Sequence, residues 1–335
     1  MTQKQLDNKD NKEYNNLLLK IQNELIQETK KMYSSNIVEI NPKYDKNGNI
    51  TNVKEIKKNI NNLKELIKNN WNKAYNNLEL YKKKQSEESY NFYKKIHHYF
   101  WLLFIAKKEW DNKIKLLEKK RGLNIKKIFN GKANNQIKKL NQQISNAVKN
   151  NATKKEIKKI VSTNFYNMGE KATYRILNDE MNTYREMFKI AGTDDLNIEK
   201  KWEYTYRSKF ERSWHKAMNG QVADKDGFFK SPLGNKTKAP RLFGKASEDC
   251  SCKCEMEISY LDDIKYLDKQ LKYYSKYEKK IGVSLDDLKP DKEKVDNFME
   301  KFNLKESERS KVETYQKIRD YRLEQRIKGN EYWLD

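Results

Sequence analysis

A chain of 335 residues is long enough for one large domain or two ordinary ones, but 36% apolar against 36% charged residues favours long, thin, solvent-washed helices over one compact globule. The 71 Lys and Arg against 48 Asp and Glu leave a net charge of +23, which disfavours self-association and attracts a polyanion. Nucleic acid is the default partner, because each phosphate neutralised releases counterions; Lys- and Asn-rich codon usage in an AT-rich genome is the competing explanation of the same charge.

The first ten residues are polar and no apolar segment follows them, so no secretory signal is expected. Apolar positions Leu17, Leu18, Ile21, Leu25 and Ile26 recur at helical spacing through Asn11–Lys31. Between Asn36 and Asn52 the alternation of Val38 and Ile40 and the Asn47-Gly48 dipeptide predict strand fragments around a turn. Helical pattern resumes from about Val53 to Arg121 and is interrupted near Gly122 and Gly131. Within it, the longest apolar run, Tyr99–Ala106, falls far short of the ~20 residues that span a bilayer, so no membrane partner is expected. The adjacent His97 and His98 point about 100° apart on a helix and cannot share an ion. The runs Lys82, Lys83, Lys84 and Lys119, Lys120, Arg121 are the candidate contacts to DNA phosphates, on otherwise solvated faces.

Thr153-x-x-Glu156 predicts a capping box opening a helix; Gly169 separates it from a second helix, and Gly192 is placed to cap that one. The texture then changes. Lys201–Arg207 alternates aromatic and polar residues as a strand does, six Gly and Pro residues crowd Gly220–Gly244, and Cys252–Ile258 alternates again. The expected fold is mainly α: an elongated helical N-terminal region (1–152), a small α+β module (153–259) and a helical C-terminal extension (260–335), the last with a capping-box-like start at Ser284 and Asp287.

All three cysteines lie between Cys250 and Cys254, which excludes a disulfide framework and suits a reducing cytoplasm. On a continuous strand, residues two apart face one side, so Cys250, Cys252 and Cys254 form a row of thiols. With His215, the only histidine nearby, they make a zinc-ligand set, with Asp249 as a substitute for Cys250; the competing reading is reduced cysteines packed behind a strand. Zinc is the only cofactor this pattern suggests. Trp202, Tyr204 and Tyr206 read as one face of a sheet packed on a helix.

The order of Arg175 and Glu180 on a helix, Trp202 on a strand, Arg212-x-x-His215 leading to Asn219-Gly220, and a closing Cys252-Lys-Cys254 resembles the bacteriophage minor head (head-morphogenesis) family typified by the F protein of phage Mu. The resemblance covers Tyr174 to Ile258, with Asn178 standing where the family has a second basic residue, Lys253 where it has Arg, and Asp249 where many members have His. It implies Arg175, Glu180, Trp202, Arg212 and Gly220 as the structural core of a module, in which Glu180 or Asp179 pairs with Arg212 across helix and strand. It also implies a low-copy internal head protein near the portal, with portal and major capsid proteins and double-stranded DNA as partners. Such a protein resides in the virion, and in the host cytoplasm during assembly, and is not an enzyme. Modules of this family can be coupled to toxin domains, so a toxin-like or nuclease-like enzyme using His215 and the cysteines is the alternative. A host-type DNA-binding protein would need helix-turn-helix or zinc-finger spacing, which the sequence lacks.

Overall fold

The computed structural model describes residues 3–34, 39–99, 106–193, 198–205, 212–224, 226–260, 287–301 and 304–327. It is mainly α, with an elongated helical N-terminal region, a small α+β module and a C-terminal helical extension. The helical region comprises α1 (Gln3–Ser34), α2 (Val53–Tyr99), α3 (Lys107–Arg121), α4 (Ile125–Lys149), α5 (Lys154–Thr163) and α6 (Lys171–Thr193). Helix α2 is the spine. Its 47 residues extend about 70 Å at 1.5 Å per residue, and Ile56, Ile60, Leu63, Ile67, Trp71, Ala74, Leu78 and Tyr81 form a buried stripe at three- and four-residue spacing. That stripe packs against α1, α4 and α6. Among the described residues, no helix is long and apolar enough to cross a membrane; residues 100–105, most of the Tyr99–Ala106 run, lie outside the described residues.

This region keeps one locally expected feature and departs from the sequence reading at three others. The capping box forms: the Thr153 side chain accepts from the Glu156 N–H while the Glu156 carboxylate accepts from the Thr153 N–H. Gly169, however, does not separate two helices, because α5 runs into α6 through a π-helical turn, Asn164–Glu170. A buried polar chain accommodates the altered ladder there. The Trp71 indole donates to Gln136 (2.7 Å), whose amide donates to the Asn164 side chain (3.1 Å) and carbonyl (3.3 Å). Gly192 is likewise no cap: α6 continues to Thr193, and a Cβ at Gly192 would run into the Tyr93 ring. Between α1 and α2, the expected strand fragments reduce to a single bridge, Tyr44 with Ile50, around a turn at Asn47-Gly48; Val38 lies outside the described residues.

The core is continuous across residue 153. Ile157, Val161, Phe165, Leu177, Met181, Tyr184 and Phe188 belong to the same apolar cluster as α1, α2 and α4, so α5 and α6 pack as part of the helical region. The smaller cluster of the α+β module begins with Ile190, near the end of α6, and takes in Trp202, Met218, Phe229, Ala239, Cys252, Cys254 and Met256. The C-terminal helices, α9 (Lys292–Lys301) and α10 (Arg309–Ile327), share a third cluster of Val295, Phe298, Met299, Val312 and Tyr315. The Ser284 start lies outside the described residues.

The pairing expected of Glu180 is also different. Glu180 accepts a two-pronged pair from Arg121 at the end of α3, Nη1 to Oε2 at 2.5 Å and Nη2 to Oε1 at 2.9 Å, with both side chains under a tenth exposed. Arg121 is therefore an internal ion that locks α3 onto α6, not a contact to DNA. Lys82 is diverted in the same way: it bridges Glu118 (2.5 Å) and Glu79 (3.5 Å) and lies over the Tyr184 ring. Of the other lysines in those runs, Lys83, Lys119 and Lys120 are exposed, and Lys84 is exposed but paired with Glu24 (2.8 Å).

Removing one partner of a buried pair strands the other's charge, which costs about 3–5 kcal/mol, whereas replacing both by apolar residues is often neutral. Arg121→Met and Glu180→Leu should therefore each lower unfolding stability by about that amount, and the double variant should recover most of the loss. Chemical denaturation of the four proteins measures this cycle. Additive losses would show that the two charges are not coupled.

Candidate metal centre

The module is built on two antiparallel strands, β1 (Ile198–Glu203) and β4 (Glu255–Tyr260), with Trp202 opposite Met256. On the other edge of β1 the Trp202 N–H donates to the Gln221 carbonyl (2.8 Å), and the Gly220 N–H donates to the Trp202 carbonyl (2.8 Å). Gly220 serves that contact with φ +79°, a backbone conformation that disfavours any side chain. Just before it, the short helix α7 (Ser213–Ala217) carries Trp214 and His215; Tyr206 and residues 207–211 lie outside the described residues. A two-residue hairpin, β2 (Phe229–Lys230) with β3 (Lys236–Thr237), and the single turn α8 (Ala246–Asp249) complete the module.

These segments meet at one buried carboxylate. Glu248, fully buried, accepts from the His215 Nε2 (2.9 Å) and Trp214 Nε1 (2.9 Å) on one oxygen, and from Ser231 Oγ (3.1 Å) and Asn235 Nδ2 (2.7 Å) on the other. Burial alone would raise its pKa. The hydrogen bonds from Asn235, His215 and Ser231 outweigh that and hold it below the ordinary glutamate value. An ionised carboxylate can only accept, so His215 donates to it from Nε2 and presents Nδ1 to the cysteines; burial lowers the His215 pKa, but its bonds to Cys252 and Glu248 outweigh that and raise it.

His215 Nδ1 lies 3.4 Å from Cys252 Sγ and 3.6 Å from Cys254 Sγ, and the three ligand atoms fall within 4.8 Å of one another. Around a tetrahedral zinc, with Zn–S near 2.3 Å and Zn–N near 2.0 Å, such atoms sit roughly 3.5–3.8 Å apart, so the donor set fits. The chemistry fits too. Cys252 is pushed well below the usual thiol range, by its hydrogen bond from Cys254 first, against burial, and then by His215; Cys254 is raised by its bond to Cys252 and by burial. The two shifts run in opposite directions, which favours Cys252 over Cys254 as the thiol that gives up its proton to a metal. A His whose second nitrogen is fixed by a carboxylate is the usual outer support of a metal-bound imidazole. Aromatic rings close the site: Trp202 lies edge-on to His215 and Phe243 stacks on it.

Cys250 does not join this set. The chain before β4 is not a continuous strand: Ser251 turns left-handed (φ 57°), which breaks the two-residue alternation, and Cys250 is exposed. Asp249 is also committed elsewhere, accepting from the N–H groups of Phe243, Gly244 and Lys245 (2.8–3.1 Å). The described residues thus supply three ligand atoms, one short of a closed tetrahedral site.

The arginines hold the cysteine loop by its backbone. Arg212 donates to the Glu248 carbonyl (3.2 Å) and the Cys250 carbonyl (2.5 Å), and buried Arg241 donates through Nε to the Cys252 carbonyl (2.8 Å). Arg212 therefore pairs with neither Glu180 nor Asp179. Asp179 accepts instead from the Ser251 N–H (3.1 Å) and lies 3.4 Å from Lys253, which anchors the loop to α6. Arg175 is exposed on α6 and belongs to neither core, so the structural role expected of it is not seen. Asn178 accepts from Gln22 on α1 (2.9 Å). Trp202, Gly220, Arg212 and His215 do converge. Glu248 and Arg241 carry as much of the site as any of them and had no motif to mark them; the only signal was the presence of an acid and an arginine in a Gly- and Pro-rich loop.

No protein-family model matches the chain, and no solved structure matches it. The chain is 38% identical over 72 residues to a curated protein, the NAD(+)–arginine ADP-ribosyltransferase EFV of Enterococcus faecalis. The matched segment is 22% of this chain and spans 14% of that relative's length.

If the three ligands hold zinc, protein purified without chelator should carry about one equivalent by elemental analysis, and Cys252→Ser with Cys254→Ser should lose it and lower the melting temperature. Metal-free wild type with unaltered stability after chelation would identify these as packed, reduced thiols. Glu248→Gln removes the fixed charge behind His215 but keeps its size, and should weaken zinc affinity by about 10–100-fold, read by competition with a chromogenic chelator.

Proposed function

We propose that this protein is a non-enzymatic assembly component of the phage minor-head class, a low-copy internal head protein associated with the portal vertex and with packaged duplex DNA. The observation that carries this reading is the convergence of the family-like residues. Trp202, Arg212, His215, Gly220, Cys252 and Cys254 are spread over some fifty positions of sequence, yet they and the segments they anchor form one module. A shared order of motif residues that also shares a physical purpose supports common descent more strongly than the order alone. The centre is closed as well: His215, Cys252 and Cys254 are each 2% exposed, which suits a group that holds segments together rather than one that meets a substrate.

The likeness to an ADP-ribosyltransferase supports a second reading, in which the chain or its module accompanies a toxin-type enzyme. A stretch of 72 residues, 14% of that relative, is the size of one small module, so it fits a shared non-catalytic piece as readily as shared chemistry. The charge balance of +23 is compatible with residence beside packaged DNA.

Mass spectrometry of purified particles tests the proposal. The chain should be present at a few copies per particle and should cross-link to portal or major capsid protein; absence from the particles would overturn the assignment. Incubation of purified protein with labelled NAD and an arginine-containing acceptor should transfer no label, and transfer abolished by His215→Ala would establish the enzyme reading instead.

A further inference from the structure

The positive charge of this chain is not evenly spread. From Lys119 to Lys155 there are eleven Lys and Arg and not one Asp or Glu. The other long helices α1, α2 and α3 all carry acids among their lysines, whereas α4 carries Lys126, Lys127, Lys132, Lys138, Lys139 and Lys149 and none. Biased codon usage raises lysine everywhere but does not clear acids from one helix. Burial of Phe129, Ala133, Gln136, Leu140, Ile144 and Ala147 fixes the opposite side of α4 to the core, so its lysines stand in solvent. Among the described residues none of the six forms an ion pair, in contrast to Lys82, Lys84 and Arg121.

We propose that this face of α4 is the surface that binds the phosphate backbone of duplex DNA. Lys127, Lys138 and Lys149 recur every eleven residues, close to three helical turns, and so form one row about 33 Å long, nearly the pitch of B-form DNA. Lys132 and Lys139 form a second row, which with Asn135, Lys138, Gln142 and Asn167 of the π turn lines a groove of about 520 Å³. Ammonium and amide groups in this arrangement are donors to phosphate oxygens and carry no sequence preference. The exposed face of α4 holds no aromatic ring on which unpaired bases would stack, which favours duplex over single-stranded nucleic acid. The inference rests on the DNA contact of the reading above, and moves that contact from the Lys82–Lys84 and Lys119–Arg121 runs to α4.

Fluorescence anisotropy with a 30-base-pair duplex tests it on the full chain. A variant with Lys127, Lys132, Lys138 and Lys139 each changed to Gln, its helicity checked by circular dichroism, should lose at least about tenfold in affinity near 100 mM salt, and its log–log salt slope should fall by about 3–4. A control with Lys83, Lys119 and Lys120 changed to Gln should stay within about twofold. An α4 variant that binds as tightly as wild type overturns the surface while leaving DNA binding intact. Wild type that fails to bind duplex at ~50 mM salt overturns the DNA contact itself. Equal competition by single-stranded RNA or by phosphatidylserine vesicles, at matched phosphate, overturns the commitment to duplex.

Discussion

Helix α6 is buried nearly all round, and a charged helix so placed must satisfy its ions inside the protein. It does so in two directions. Glu180 turns to Arg121 and fixes α3 at the edge of the helical region. Asp179, Arg185, Glu186 and Lys189 turn the other way: to the Ser251 N–H, to Glu255 (3.1 Å), to the Met256 N–H (3.1 Å) and to the Met256 carbonyl (2.9 Å). The β4 strand and the cysteine loop before it are therefore positioned by backbone and side-chain bonds to one helix. Without that helix the two-stranded sheet would be too small to stand alone.

The module repeats the same logic on a smaller scale. Glu248 receives four hydrogen bonds from residues on two separate segments, α7 and the turn of the β2–β3 hairpin, and that saturation is what allows an ionised carboxylate to stay inside an apolar cluster. Its carboxylate holds Nε2 of the imidazole, and that leaves Nδ1 to face the Cys252–Cys254 pair. Arg212 and Arg241 complete the arrangement by holding the carbonyls of Glu248, Cys250 and Cys252, so the loop is gripped from both its side chains and its backbone.

Charge is handled differently outside. Lysines that meet an acid on a neighbouring helix, such as Lys82 and Lys84, are absorbed into the packing of the helical region. On α4 no acid is within the sequence to meet them, and its lysines are left to the solvent. The same residue type is thus a structural ion on one helix and an available donor on the next, and the difference lies in what each helix faces.

The sequence alone determined the mainly helical fold, because periodic apolar residues with few Gly and Pro leave the chain little else to form. It determined the Thr153 capping box for the same reason: a contact between residues three apart needs no tertiary information. It also determined the nearness of His215 to the Cys252–Cys254 pair, through the order of motifs. Tertiary structure decided everything that rests on partners distant in sequence. Glu180 took Arg121, 59 residues away, rather than Arg212, because burial rewards whichever cation the helix packing delivers. Cys250 left the thiol row because Ser251 adopts a left-handed backbone, which no alternation pattern encodes. Glu248 became the centre of the site because four donors converge on it in space, and hydrogen bonds that span 13 to 34 residues leave no local trace in the chain.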